Sequence, residues 1–336
     1  MNVEPFTLPL ATPIDTARGT MRDRRGFLVT VERDGETGVG EATPLPGWTE
    51  SREACRSALA RAAATDSRGD ALAACEGAPA ARHGVSLAFA DATARAREIP
   101  LYRQLGAGER VERVQVNATV GDADPATTAE RVRDALVDGF ETVKLKVGAQ
   151  SLADDVARLD AVRAAAPDAV LRVDANGAWT PDEARRALDA VGNVEYVEQP
   201  LAAPSLDGHA ALRERGRIAL DESVAAAGLD AVVDAGAADV VVLKPMALGG
   251  VDRTVEAGRR ARAVGVEPVV TTTFDAVYAR TAAVHAAAAL APLPACGLAT
   301  GDALARDLAA DPAPVTDGAI TVPQGKGNGV APSPEE

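Results

Sequence analysis

The chain has 336 residues, 47% hydrophobic and 25% charged, which fits a soluble globular protein of about two domains and excludes a disulfide miniprotein or a disordered chain. No apolar run approaches the roughly 18 residues a membrane span needs, and the opening Met1 to Pro5 carries no basic leader, so a cytoplasmic location is expected. With 35 basic against 49 acidic side chains the net charge is -14, which argues against nucleic acid or an anionic membrane as partner and leaves a small molecule, with a homo-oligomer open. Such acidity fits either ordinary solubility or a saline cytoplasm. Cys55, Cys75 and Cys296, and His83, His209 and His285, fall in no ligand-like spacing, so neither a disulfide framework nor a zinc site is expected.

In chain order, Phe27 to Glu32 reads as a strand, Arg33 to Gly35 as a turn and Gly38 to Ala42 as a second strand. Helices follow. Ser51 is placed to cap a run to about Ala64, and Val85, Ala88, Phe89 and Ala92 recur at helical spacing between Ala80 and Arg97. From about Val111 short β-branched runs alternate with alanine-rich helical runs. The strands expected are Val114 to Thr119, Thr142 to Val147, Val170 to Asp174, Glu195 to Glu198, Ile218 to Asp221, Asp239 to Lys244, Pro268 to Thr272 and Cys296 to Ala299. Asp124 before Pro125 is an N-cap with proline at the first helical position, Gly139 ends that helix, and Thr180 with Glu183 makes a capping box.

Eight strands alternating with helices about every 25 residues predict a parallel (β/α) barrel. A doubly wound open sheet is the competing architecture, but no Gly-rich phosphate turn follows the first strand. The Pro- and Gly-rich tail, Val315 to Val330, is expected to return to the N-terminal unit. The division expected is an α+β unit over 1–110 completed by 311–336, and a barrel over 111–310.

Ionisable residues recur at one place in the repeat. Lys146, Asp174, Glu198, Asp221 and Lys244 close successive strands at intervals of 23 to 28 residues, so each unit delivers one charge to the carboxyl rim, where barrel active sites lie. An Asp at such a junction can also be a plain helix cap, but Glu and Lys are not preferred there. Lysine occurs only at 144, 146, 244 and 326. Three of these four stand at strand ends in a chain that otherwise uses arginine, as a site needing a deprotonatable base demands. Lys144 and Lys146, two apart, share one strand face, and the like charge of Lys144 is expected to tune the pKa of Lys146. Asp174, Glu198 and Asp221 offer hard oxygen ligands suited to Mg²⁺ or Mn²⁺. A divalent cation between two lysines suits removal of a weakly acidic proton next to a carboxylate.

These residues resemble the enolase superfamily and, within it, the muconate-lactonising-enzyme subgroup. The resemblance is carried by Lys144 to Lys146, Asp174 to Asn176, Glu198 to Pro200, Asp221 to Ser223, Leu243 to Pro245 and Pro100 to Gly106. It implies an α/β fold, a modified (β/α)7β TIM-type barrel under an N-terminal α+β capping domain. It also implies Mg²⁺ (or Mn²⁺) on Asp174, Glu198 and Asp221, and acid/base chemistry at Lys146 and Lys244. Asn176 and Glu222 look like support for the metal site, and Arg172 shares the inward face with Asp174. The His/Asp pair of the sugar-acid dehydratases is missing.

Within the subgroup the chain is most similar to the o-succinylbenzoate synthase branch, through Glu41 to Trp48, Thr271 to Thr273, and Gly297 to Gly301 followed by Asp307 and Leu308. That likeness implies metal-dependent dehydration of a hydroxycyclohexadiene carboxylate in menaquinone biosynthesis. Trp48, Arg172, Thr271, Thr272, Thr273, Gly297 and Leu298 are the expected substrate contacts. N-succinylamino acid racemases and dipeptide epimerases are the alternatives, muconate cycloisomerase a more distant one. Leu298 to Thr300 offers no Asp-x-Asp pair for a dipeptide ammonium.

Overall fold

A computed structural model describes residues 1–16 and 19–331; the last residues of the expected 311–336 segment, 332–336, lie outside the described residues. The chain opens with an antiparallel sheet of β1 (Asn2–Thr16), β2 (Gly19–Arg33) and β3 (Glu36–Ala42), in that order. The sequence reading missed β1. Pro5, Pro9 and Pro13 interrupt its pattern, and its register with β2 shifts between Pro9 and Ile14. Its place at the sheet edge tolerates the missing N–H donors.

Helices α1 (Arg52–Ala63), α2 (Arg68–Ala74), α3 (Pro79–Ala96) and the single turn α4 (Leu101–Gln104) follow. Ser51 caps α1 by accepting from the Ala54 N–H. The sheet packs on α3 at backbone distance: a Cβ on Gly40 would lie 1.9 Å from the Gly84 carbonyl oxygen. Phe27, Val29, Val31, Leu59 and Val85 fill this core, which runs on into Met246 and Ala279 of the barrel.

The expected strand Val114 to Thr119 is two strands, β4 (Arg113–Gln115) and β5 (Ala118–Val120). From β5 onward the chain alternates as expected: α5 (Pro125–Val137), β6 (Thr142–Lys146), α6 (Leu152–Ala165), β7 (Val170–Asp174), α7 (Pro181–Ala190), β8 (Val197–Glu198) and α8 (Leu206–Leu212). Then come β9 (Ile218–Leu220), α9 (Glu222–Ala227), α10 (Leu229–Asp234), β10 (Val240–Leu243), α11 (Pro245–Leu248), α12 (Val251–Ala263), β11 (Glu267–Val270) and α13 (Val277–Ala289). Asp124 caps α5 and the Thr180–Glu183 box caps α7, both as read from sequence.

Strands β5 to β11 form one parallel sheet in sequential order. The expected eighth strand is reduced to two parallel bridges, Val116–Cys296 and Thr271–Gly297, and these join the first and last strands. The chain there is short and ends in a turn, so it makes closure contacts without building a ladder. Val143, Leu145 and Val147 face the helices, while Tyr196, Ala219, Val240, Val242 and Val269 pack inside the barrel.

The tail forms β12 (Val315–Thr316) and β13 (Ala319–Thr321), and β13 pairs antiparallel with β4. Only after completing the barrel floor does it return to the first unit, where the Asn328 N–H donates to Asp91 at 2.6 Å and Arg95 donates to the Val330 carbonyl at 3.1 Å. Among the described residues no helix is long and apolar enough to cross a membrane.

Candidate active site

The strand register sets the charged rim. On β6 and β7 Lys144 stands beside Arg172 and Lys146 beside Asp174, and on β7 and β8 Asp174 stands beside Glu198. Asp221 and Lys244 follow β9 and β10 directly. Lysines and carboxylates close on one another. Lys146 Nζ lies 2.6 Å from Asp174 Oδ2 and donates to Asn176 Oδ1 at 2.7 Å. Lys144 Nζ reaches both Glu198 oxygens at 2.9 Å and Asp174 at 3.1 Å, and Lys244 pairs with Asp221.

Burial alone disfavours the charges of Lys144, Asp174, Glu198 and Asp221, and their neighbours decide the outcome. Asp174 is held well below the usual carboxylate range because Lys144 and Lys146 outweigh its burial. Glu198 is pushed up to about 7 by burial and by repulsion from Asp174, only partly offset by Lys144. Burial also raises Asp221 against the pull of Lys244. Lys144 is held well above its ordinary value, since Glu198 and Asp174 overcome its burial.

Asn176 and Gln199, just past β7 and β8, adopt left-handed backbone at φ 45 and 42, uncommon for non-glycine residues and found where surroundings enforce it. Gln199 explains its own case: its side-chain oxygen accepts from the Asp221 and Ser223 N–H groups, both at 3.1 Å, and fixes the turn that carries Asp221. Asn176 donates to Glu222 Oε1 at 3.0 Å, linking Lys146 to Glu222.

A cleft of about 320 Å³ opens over this rim. Lys144, Lys146, Asp174, Asn176, Asp221 and Lys244 form its charged side. Thr271, Thr272, Thr273 and Gly297 line it as expected, and Trp48 covers it from the capping unit. The three threonines differ in availability. Thr271 donates to the Gly297 carbonyl at 2.8 Å and Thr273 to Asp275 at 2.6 Å, whereas Thr272 pairs with the Thr300 hydroxyl at 2.8 Å. A Cβ on Gly297 would stand 2.5 Å from Thr271 Oγ1, so the closure admits only glycine.

Two expected contacts are not in the cleft. Arg172 points inward but one layer deeper: fully buried, it donates to Glu195 at 2.6 Å, Asn117 at 3.1 Å and the Ala295 carbonyl at 2.6 Å, and stacks over Tyr196. Leu298 faces away and is buried in the core with Val116 and Cys296, because strand alternation turns it opposite to Gly297 and Ala299. Glu198 and Glu222 lie behind the wall rather than on it. Unanticipated lining comes from Leu45, Asn117, Thr119, Phe274, Ala299, Thr300 and Ala303. Asn117 and Thr119 share the period-two alternation of Lys144 and Lys146, which was a legible signal.

Among the described residues no three His, Cys, Asp or Glu side chains are grouped to hold a metal ion as they stand, since lysines occupy the carboxylates. The donor chemistry nevertheless fits a hard divalent cation. Three buried carboxylates sit on adjacent strands, Glu198 is repelled by both others, and Glu222 Oε2 is buried without a partner beside them.

Comparison with known proteins agrees with this geometry. The family model described as enolase C-terminal domain-like matches residues 127–336, and the model described as MenC, N-terminal domain, matches residues 2–92. Over 232 residues the chain is 45% identical to the o-succinylbenzoate synthase of Mycolicibacterium smegmatis, covering 66% of this chain and 68% of that protein. It is 42% identical over 222 residues to the o-succinylbenzoate synthase of Mycobacterium tuberculosis, covering 63% and 65%. The chain thus spans about two thirds of the length of the curated relatives it matches. Among solved structures, the L-Ala-D/L-Glu epimerase from Bacillus subtilis superposes with a TM-score of 0.88 at 28% identity, covering 98% of both chains.

Proposed function

Because the chain belongs to the enolase superfamily, we propose that it is a carbon–oxygen lyase that dehydrates 2-succinyl-6-hydroxy-2,4-cyclohexadiene-1-carboxylate to o-succinylbenzoate, a step toward menaquinone. The relatives of that name and the MenC N-terminal match support this reading over the racemase and epimerase alternatives. The observation that carries it is the order of charges on five consecutive strands: Lys146, Asp174, Glu198, Asp221 and Lys244. Two lysines flank three carboxylates across one cleft, the arrangement needed to take a proton from beside a carboxylate and hold the charge that results.

Lys146 Nζ, as a free amine, takes the proton α to the ring carboxylate, and the electron pair of that bond moves into the carboxylate as an enediolate. The Lys244 ammonium supports this charge from the opposite side. Lys146, now an ammonium, gives its proton to the departing 6-hydroxyl, which leaves as water while the ring becomes aromatic and the free amine is restored. Asn176, accepting from Lys146 at 2.7 Å, orients the base. Asp174, Glu198 and Asp221, with Asn176 and Glu222 in support, would hold a divalent cation, Mg²⁺ or Mn²⁺, which would supply positive charge beside the substrate carboxylate. Lys144, kept charged by Glu198 and Asp174, adds to that field. Trp48 closes over the ring, and Thr272 and Thr300 offer hydroxyls to the succinyl arm.

Lys146→Arg tests the assignment of the base. A guanidinium stays protonated, so the variant should fold and bind metal but lose at least about a thousandfold in kcat. Near-normal turnover by this variant removes Lys146 from the role.

A further inference from the structure

The cleft is shared by two structural units, and a buried charged network joins them just behind its wall. Arg24 on β2 is 3% exposed. Its guanidinium donates to the carbonyls of Thr43 at 2.9 Å and Pro44 at 3.4 Å in the capping loop, and to the Phe274 carbonyl at 3.1 Å in the loop after β11. Glu41 at the end of β3 is fully buried, and its carboxylate accepts from the N–H groups of Ala276 at 2.8 Å and Ala279 at 2.9 Å. These belong to the unpaired first turn of α13, a helix with no side-chain cap of its own. The capping unit therefore shares the capping of a barrel helix with Asp307, which accepts from the Val277 N–H at 2.8 Å.

The Thr43 hydroxyl closes onto Glu41, and Asp275 accepts from the Thr273 N–H at 3.2 Å and its hydroxyl at 2.6 Å. Leu45 and Trp48 lie just beyond one half of this network, Thr273 and Phe274 within the other, and all four line the cleft. Phe274 is held at φ 59, left-handed backbone that persists only where its surroundings impose it. Arg24, Glu41 and Asp275 themselves do not reach the cleft.

We propose that Arg24 and Glu41 are positioning residues that set the width of the substrate cleft, by fixing the capping loop 43–48 against the barrel loop 271–274. The planar guanidinium fork suits three carbonyls spread over two loops, which a single ammonium cannot reproduce. Electrostatics supports the same placement. Burial and repulsion from Asp275 push Glu41 up to about 7, and both carboxylates favour the charge of the buried Arg24 guanidinium. The proposal rests on reading this cleft as the site of the dehydration, but part of its test is independent of that reading.

The chain has two tryptophans, Trp48 and Trp179, so a Trp179→Phe background isolates the emission of Trp48. In that background Arg24→Lys should shift Trp48 emission to the red without substrate present. With the cyclohexadiene acid it should raise KM about tenfold or more and leave kcat within about threefold. Thr43→Val, which removes one hydroxyl donor from the network, should change both in the same direction by about twofold to threefold in KM. Unshifted emission with unchanged KM, or a fall in kcat at constant KM, overturns the proposal. If Arg24→Lys does not fold, Thr43→Val decides by the same criteria. No turnover by the parent chain would count against the functional reading alone, because the emission is recorded without substrate.

Discussion

The Lys244 ammonium stands 3.3 Å from the centroid of the Trp48 ring, so the capping unit touches the charged rim of the barrel directly. A cation over an aromatic face is worth about 0.5–2 kcal/mol. Trp48→Ala should therefore loosen the roof and raise KM by roughly twofold to thirtyfold, while Trp48→Phe keeps most of the contact. Steady-state kinetics on the two variants checks this; equal KM values in the two would show that the ring contributes nothing to the closed cleft.

Most of the barrel was legible in the sequence because its signals are local. Asp124 with Pro125, and Thr180 with Glu183, are caps within one turn, and a single polar residue at each strand end is readable by spacing alone. What escaped was set by distant partners. β1 is held by pairing with β2 despite its prolines, and β4 leaves the barrel ladder because the tail pairs with it. Arg172 was read on the correct face but at the wrong depth, since alternation gives the face of a strand and not the layer. The role of Glu41 as a cap depends on a helix more than two hundred residues away.

Metal dependence is the next consequence. EDTA treatment should abolish activity, and Mg²⁺ or Mn²⁺ should restore it. Asp174, paired with Lys144 and Lys146, is one of the three carboxylates proposed to hold the ion, so Asp174→Asn should weaken metal binding in calorimetry as well as turnover. Saturating metal at a hundred times its Kd should add about 2.7 kcal/mol of stability to the parent chain. Full activity after exhaustive chelation contradicts the mechanism.

His285 supplies a pH signature of the fold. Its Nδ1 accepts from the Tyr102 N–H at 3.3 Å, its Nε2 lies 3.2 Å from the Asn328 carbonyl, and burial pushes it down to about 4. An unfolded histidine titrates near 6.5, so between the two values the unfolded chain binds the extra proton. The contribution is complete above about pH 6.5 and is lost as pH falls toward 4, amounting to up to about 3 kcal/mol. His285→Gln keeps an acceptor and a donor, and its urea midpoint should fall less between pH 7.5 and 4.5 than that of the parent. Equal falls would remove His285 as the source.

The charge of -14 carries a further expectation, that the surface is adapted to salt. The Debye length shortens from about 10 Å at 0.1 M salt to about 3 Å at 1 M, which suppresses repulsion among carboxylates. The thermal midpoint should therefore rise from dilute buffer to molar KCl, a salt with little effect on apolar burial. A midpoint unchanged across that range means the acidity serves solubility only.

The central claim is tested most directly by offering the purified, Mg²⁺-loaded chain the cyclohexadiene acid and a panel of N-succinylamino acids side by side. Loss of the diene and appearance of o-succinylbenzoate are followed for the first, and α-deuterium exchange in D₂O for the second. The account predicts efficient conversion of the cyclohexadiene acid, lost in Lys146→Ala. Efficient exchange of the N-succinylamino acids with the cyclohexadiene acid left untouched would contradict it.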